Sequence, residues 1–241
     1  MSSALISSAT MKPLPPPSLT RYQFLDGLHA ILKPQTYLEV GVQTGGSLAL
    51  AEAAGVAIGI DPHLDHFAQQ FRRPNQRLFE QTADDYFGCM SCERPTIDLA
   101  FIDGSHLFED ALRDFIYVQR HSGPDTIVVF DDVLPYSQDI AWRVQPPGDW
   151  TGDVFKIPAV LAEYQPDLDL RLVDVAPTGA LVVTGLNVND VTLGKKYDRI
   201  AADWHARHYV PDEILARTNA AQPDKVLADI AAELAQTRKG K

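Results

Sequence analysis

The stretch YLEVGVQTGGS, Tyr37 to Ser47, passes from a short apolar strand (Tyr37–Val42) into a turn with glycines at 41, 45 and 46. Glycine lets a backbone take positive φ and approach a ligand closely. An alanine-rich segment from about Ser47 to Ala54 then reads as helix, and Ala57–Ile60 reads as a second strand ending in Asp61. The alternation continues downstream. Asp65–Phe71 reads as helix, Arg77–Gln81 as a third strand, Ile97–Ile102 (IDLAFI) as a fourth ending in Asp103, and Thr126–Phe130 (TIVVF) as a fifth ending in Asp131 and Asp132. Between the last two, Phe108, Ala111, Leu112, Phe115 and Val118 recur at helical spacing. Strands separated by helices need right-handed crossovers, so the sheet is predicted to be parallel and covered on both faces.

Working outward, Ser18 or Thr20 can cap a helix bearing Tyr22, Leu25, Leu28 and Leu32, which Pro34 stops. Residues 1–17, Ser-rich and then Pro-rich, read as a disordered lead-in. Leu134–Gly152, with Pro135, Pro146 and Pro147, is long for a connection and reads as a lid. A helix follows over about Ile157–Tyr164. Leu170–Val175 and Ala180–Thr184 then form an antiparallel pair at the end of the sheet. The organisation is thus a domain over 18–188 and a helical extension over 189–241, clearest at Val226–Leu234.

Composition narrows the function. The 241 residues include 21 Lys+Arg and 32 Asp+Glu, net -11, and residues 1–188 hold 12 of the basic and 24 of the acidic side chains. Such a domain repels polyphosphate, which argues against nucleic acid as partner. No apolar run reaches the roughly 18–20 residues of a membrane span. The N-terminus lacks the basic and apolar regions of a signal peptide. Cys89 and Cys92 make no disulfide framework, and without a second pair they make no zinc site. A cytoplasmic protein is expected.

Polar groups gather where the strands end: Glu39 and Gly41, Asp61, Asp84, Asp103, Asp131 and Asp132. In open α/β sheets ligands bind outside these carboxyl ends. The turn spacing G-x-x-x-G-G misses the dinucleotide fingerprint G-x-G-x-x-G. Asp61, 20 residues after Gly41, sits where an acid can bind ribose hydroxyls. On E-V-G-V-x-T-G-G-S and G-I-D-P-H the chain resembles the class I S-adenosylmethionine-dependent methyltransferases over about residues 20–187. The resemblance implies a Rossmann-like α/β fold, a seven-stranded, mostly parallel sheet with an antiparallel last strand and helices on both faces. It implies S-adenosylmethionine as cofactor, with Glu39, Gly41, Gly45 and Ser47 at the methionine end. Asp61 would bind ribose, and Pro62, His63 and Asp84 would lie by the adenine.

I-D-G-x-H (Ile102–His106) followed by F-D-D (Phe130–Asp132) resembles the metal-dependent sugar O-methyltransferases, the macrocin O-methyltransferase group among them. That likeness implies Mg²⁺ or a similar divalent ion on Asp103, Asp131 and Asp132, positions suited to a hard cation. A bound cation lowers the pKa of an acceptor hydroxyl and fixes it in line with the sulfonium methyl. His106, at the start of a helix, is expected to be a neutral imidazole because the helix dipole opposes its protonation. It is the candidate general base, the other reading being a capping or packing residue. Ser105 stands where some relatives have a second acid, which leaves the base open.

Trp142, Arg143 and Trp150 could close over an acceptor or merely anchor the loop. Lys156 could touch substrate but is expected to be a solvated surface lysine. His205 and His208 read as tail surface or packing residues. The predicted activity is methyl transfer to a hydroxyl of a small sugar-like or natural-product-like acceptor, in a chain whose proline-rich arm and Ala-rich tail helix could serve a homo-oligomer. Two other readings stand beside it: an NAD-dependent oxidoreductase, and a non-catalytic binding module on the same fold.

Overall fold

The computed structural model describes residues 17–70, 72–88 and 95–239. The lead-in up to residue 16 and the Cys89–Cys92 pair lie outside them. Seven strands are ordered β3-β2-β1-β4-β5-β7-β6. They are β1 (Thr36–Val40), β2 (Val56–Ile60), β3 (Gln76–Phe79), β4 (Ile97–Ile102), β5 (Ser122–Asp131), β6 (Asp169–Val173) and β7 (Ala180–Thr184). The first five are parallel; β7 is antiparallel to both β5 and β6, between which it lies. This is the sheet expected from the sequence.

The helices are α1 (Arg21–Leu32), α2 (His66–Gln70), α3 (Ala83–Gly88), α4 (Phe108–Arg120), α5 (Ile157–Tyr164), α6 (Thr192–His205), α7 (Asp212–Leu215) and α8 (Pro223–Lys239). Thr20 caps α1 in a reciprocal capping box with Gln23. The alanine-rich helix expected from Ser47 is instead a 3₁₀ stretch, Leu48–Ala53, kinked at Ala51. The turn before it is anchored by Ser47, whose hydroxyl is committed to Glu39.

Central strands bury both faces, and their period of two sorts side chains into two layers. Val128 and Phe130 of β5 enter one layer, Ile127 and Val129 the other. The first layer holds Phe108, Leu112 and Phe115 of α4, Val160 and Leu161 of α5, and Ile200 and Trp204 of α6. The second holds Phe24, Leu25 and Leu28 of α1 with Val226 and Ile230 of α8. The segment after residue 188 therefore supplies core to both faces. Gly27 lets α8 approach: a Cβ there would lie 2.7 Å from Leu227 Cδ1. Among the described residues no helix is long and apolar enough to cross a membrane.

His29, on α1, is buried edge-on to Tyr37 with ring centroids 4.6 Å apart, and neither ring nitrogen has a hydrogen-bond partner. Burial pushes its pKa down to about 4, against an opposing pull from Asp26. The unfolded chain takes up this proton near pH 6.5 and the folded chain only near 4, so stability falls as pH drops through that window. The loss approaches ~3 kcal/mol at the lower edge. In urea melts across this range, His29→Leu is expected to remove that part of the pH dependence. An unchanged slope would mean the folded protein already accommodates the charged ring.

Candidate active site

The carboxyl ends of β1, β2 and β4 are knitted by backbone bonds from Gly41 N–H to Ile60 C=O (2.9 Å) and Asp103 N–H to Val40 C=O (2.8 Å). Gly41 has φ +89°, and a Cβ there would lie 1.8 Å from the Asp103 carbonyl oxygen. No other residue fits without moving the β4 loop. Asp61 holds the turn from the β2 side: its Oδ2 accepts the N–H groups of Val42 (2.9 Å) and Gln43 (2.8 Å), and its Oδ1 that of His63 (2.7 Å). Glu39 lies beneath, accepting the hydroxyls of Tyr37 (2.6 Å) and Ser47 (2.8 Å). Burial pushes Glu39 up to about 8 although both hydrogen bonds favour its charged form.

Above the turn opens a cavity of about 670 Å³, a size that suits a nucleoside-sized ligand. Of the residues singled out from sequence, Gly41, Ser47, Asp61, Pro62, His63 and Asp84 reach its wall on one side, and Asp103 and His106 on the other. Glu39 and Gly45 support the turn without lining that wall. Asp131 and Asp132 line a small adjoining cavity together with Asp103 and His106. Asp84 differs from its expected place at a strand end. It lies in the first turn of α3, held by Arg113 (3.1 Å) and the Tyr117 hydroxyl (2.9 Å).

His106 lies between two acids: Nε2 is 3.3 Å from Asp103 Oδ1, Nδ1 is 3.2 Å from Asp132 Oδ2, and Nδ1 is 2.9 Å from the Trp150 carbonyl. Burial works against its charge. The hydrogen bond to Asp103, the charges of Asp132 and Asp103, and the Trp150 carbonyl outweigh it and raise the pKa to about 9. That reverses the expected neutral imidazole. Helix α4 starts two residues later, at Phe108, and His106 itself has φ +58°. The dipole argument therefore loses to two carboxylates in direct contact. Potential ligand atoms of Asp103, His106 and Asp132 all lie within 4.8 Å of one another. Burial pushes Asp132 up to about 6, and the charge of Asp103 adds to the push.

Asp131 behaves differently. It is buried, and its Oδ2 forms an ion pair with Arg21 on α1, while Oδ1 has no partner. Burial and its two acidic neighbours hold its pKa well above the usual carboxylate range despite Arg21. Arg21 also comes within 3.8 Å of Asp103. Sequence reading missed Arg21, yet a signal exists: a basic residue in a first helical turn opposes the dipole. It missed Asp114 too, a buried acid on the apolar stripe of α4 that lines both cavities. Burial raises its pKa to about 8, and Asp110 and Asp84 add to the rise.

The lid region Leu134–Gly152 is tied down at Gln138, which exchanges two hydrogen bonds with the Val210 backbone, at 2.8 and 3.0 Å. Trp150 stacks on His106 at 4.8 Å and donates its indole N–H to the Trp142 carbonyl (2.6 Å). Trp142 is largely exposed. Arg143 is committed to Glu109 and Asp153. Lys156, expected on the surface, is fully buried and paired with Asp153 at 2.6 Å. Packing of the 3₁₀ turn at Val154–Lys156 against α4 puts it there. His205 and His208 are exposed on and just after α6.

Residues 38–133 match the family model described as a methyltransferase domain. Among curated proteins, none matches the chain's sequence. Solved structures do match. The O-methyltransferase from Bacillus cereus in complex with SAH is 17% identical, with a TM-score of 0.54 over 70% of this chain and 83% of that one. The O-methyltransferase TomG from Streptomyces achromogenes, involved in tomaymycin synthesis and in complex with SAM, is also 17% identical, with a TM-score of 0.55 over 69% of this chain and 80% of that one. The fold is that of the class I S-adenosylmethionine-dependent methyltransferases. The matched residues take in most of β1, all of β2 to β5, the glycine turn and the acidic cluster.

Proposed function

We propose that this protein is an S-adenosylmethionine-dependent O-methyltransferase that acts on a hydroxyl of a small, sugar-like or natural-product-like acceptor in the cytoplasm. The observation that carries the reading is one continuous cavity with a glycine turn and Asp61 on one side and the Asp103–His106 pair on the other. The methionine end of the cofactor would lie over Gly41 and Ser47, its ribose at Asp61, and its adenine between Pro62, His63 and Asp84. That the Bacillus and Streptomyces structures hold SAH and SAM supports the choice of cofactor.

The donors fit a hard divalent ion such as Mg²⁺. Three carboxylates line one small cavity, and Asp131 Oδ1 is a buried acceptor with no partner. Asp103, Asp131 and Asp132 would hold the ion, Asp131 through the oxygen that Arg21 leaves free. When bound, it would acidify the acceptor hydroxyl and draw off the carboxylate charge that keeps His106 protonated. His106 is then the residue that takes the acceptor proton, its ring fixed by Trp150. Positive sulfonium and negative oxygen neutralise each other during transfer, so positioning by the chain supplies most of the rate gain.

Calorimetry with S-adenosylhomocysteine, with and without Mg²⁺, tests the reading. Binding at micromolar levels is expected; no heat under either condition would return the fold to the oxidoreductase or scaffold readings. An NAD(H) titration separates those two.

A further inference from the structure

Arg21 occupies an unusual position. Its backbone is pinned beside the sheet, donating to the Ala176 carbonyl (3.0 Å), while Ala176 N–H donates to Leu19 C=O (3.0 Å). From this anchor the Arg21 side chain reaches along the cavity wall to the acidic cluster. There it pairs with Asp131 Oδ2 and lies 3.8 Å from Asp103 Oδ2. The guanidinium carries a charge that cannot be titrated away under ordinary conditions. It is thus a fixed positive charge beside two of the three carboxylates that a divalent ion would use.

We propose that Arg21 is a tethered counter-cation of the Asp103–Asp131–Asp132 cluster and sets how tightly that cluster holds a divalent ion. The inference rests on reading the cluster as a cation site. It goes further by assigning to α1 a residue that tunes the site from outside the methyltransferase domain match. Two positive centres this close repel, and inside a partly desolvated pocket the repulsion is only weakly screened. Ion binding therefore requires Arg21 either to bear that repulsion or to release Asp131. With its side chain about one-third exposed (29%), the arginine has room to swing toward the cavity.

Mn²⁺ is the probe. Binding is read from the free-ion electron paramagnetic resonance signal for wild type, Arg21→Met and Arg21→Met/Asp131→Asn, with thermal melts as a folding control. Arg21→Met is expected to bind Mn²⁺ about tenfold tighter or more, and the added Asp131→Asn to cancel that gain. Equal or weaker binding by Arg21→Met, or a gain that survives Asp131→Asn, overturns the proposal. A second measurement uses the unaltered protein: the Arg21 side-chain ¹⁵N resonance should move saturably with Mg²⁺, and a resonance that stays fixed overturns the proposal equally. S-adenosylhomocysteine titrations on the same samples judge the methyltransferase reading separately.

Discussion

Asp61→Ala is expected to weaken S-adenosylhomocysteine binding by about 100-fold or more. Two losses combine. The first is local order: Asp61 binds two backbone N–H groups of the turn, those of Val42 and Gln43, and that of His63 in its own loop, and Gln43 within the turn has φ +46°, a conformation non-glycine residues rarely adopt. Nothing else described holds Gln43 N–H, so the turn is expected to relax once the carboxylate is gone. The second is the ribose contact. A carboxylate offers roughly four acceptor sites, and three are already used within the chain. That leaves capacity for one strong hydrogen bond to ribose. Each charged hydrogen bond contributes about 1.5–3 kcal/mol, so loss of the contact and of the ordered turn together reaches the stated factor. Asp61→Asn preserves shape but turns an amide toward backbone donors, and an intermediate affinity is expected. Wild-type affinity in the folded alanine variant would place the cofactor elsewhere.

The glycine turn and its acid were legible because their signals are local. Gly41, Asp61 and Asp103 each sit at the end of a short apolar run, and the alternation of β4 and β5 side chains between the two core layers follows from those runs. The features that escaped depend on contacts distant in sequence. Arg21 reads only as a basic residue set against its helix dipole until the fold brings Asp131 to it across 110 positions. The charge on His106 was misjudged because a helix dipole can be read from neighbours in sequence, whereas Asp132 and the Trp150 carbonyl are supplied by other loops. Asp84 was placed at a strand end because β3 stops two residues sooner than its polar flank suggests, and Thr82 then starts a helix by accepting the Asp85 N–H.

Lys156 was misplaced for the same reason, and its partner yields the largest stability effect. Asp153→Ala is expected to cost about 3–5 kcal/mol and to lower the melting temperature by roughly 10 °C. The carboxylate has three separate duties. Oδ1 accepts the Phe108 N–H (2.8 Å), capping α4 where Leu107 cannot. Oδ2 neutralises Lys156, which has no route to water. It also holds Arg143 (2.7 Å), which ties the lid region to Glu109 on α4. Burial would raise the Asp153 pKa, but its hydrogen bonds from Lys156, Phe108 and Arg143 hold it below the ordinary value. Removing the acid strands a buried ammonium, whereas removing both charges does not. Asp153→Ala/Lys156→Met is therefore expected to regain about half of the loss, because Arg143 keeps Glu109. The effect should reach the active site as well. Asp153 N–H donates to the His106 carbonyl (3.1 Å), and Gly152 at φ +55° packs so tightly there that a Cβ would lie 1.8 Å from that oxygen. Loosening this junction frees His106 from its position between Asp103 and Asp132. Urea melts of the two variants, read with Mn²⁺ affinity, check both parts. A single variant that loses under about 1 kcal/mol would show that solvent reaches Lys156 and that the network is not what fixes the lid.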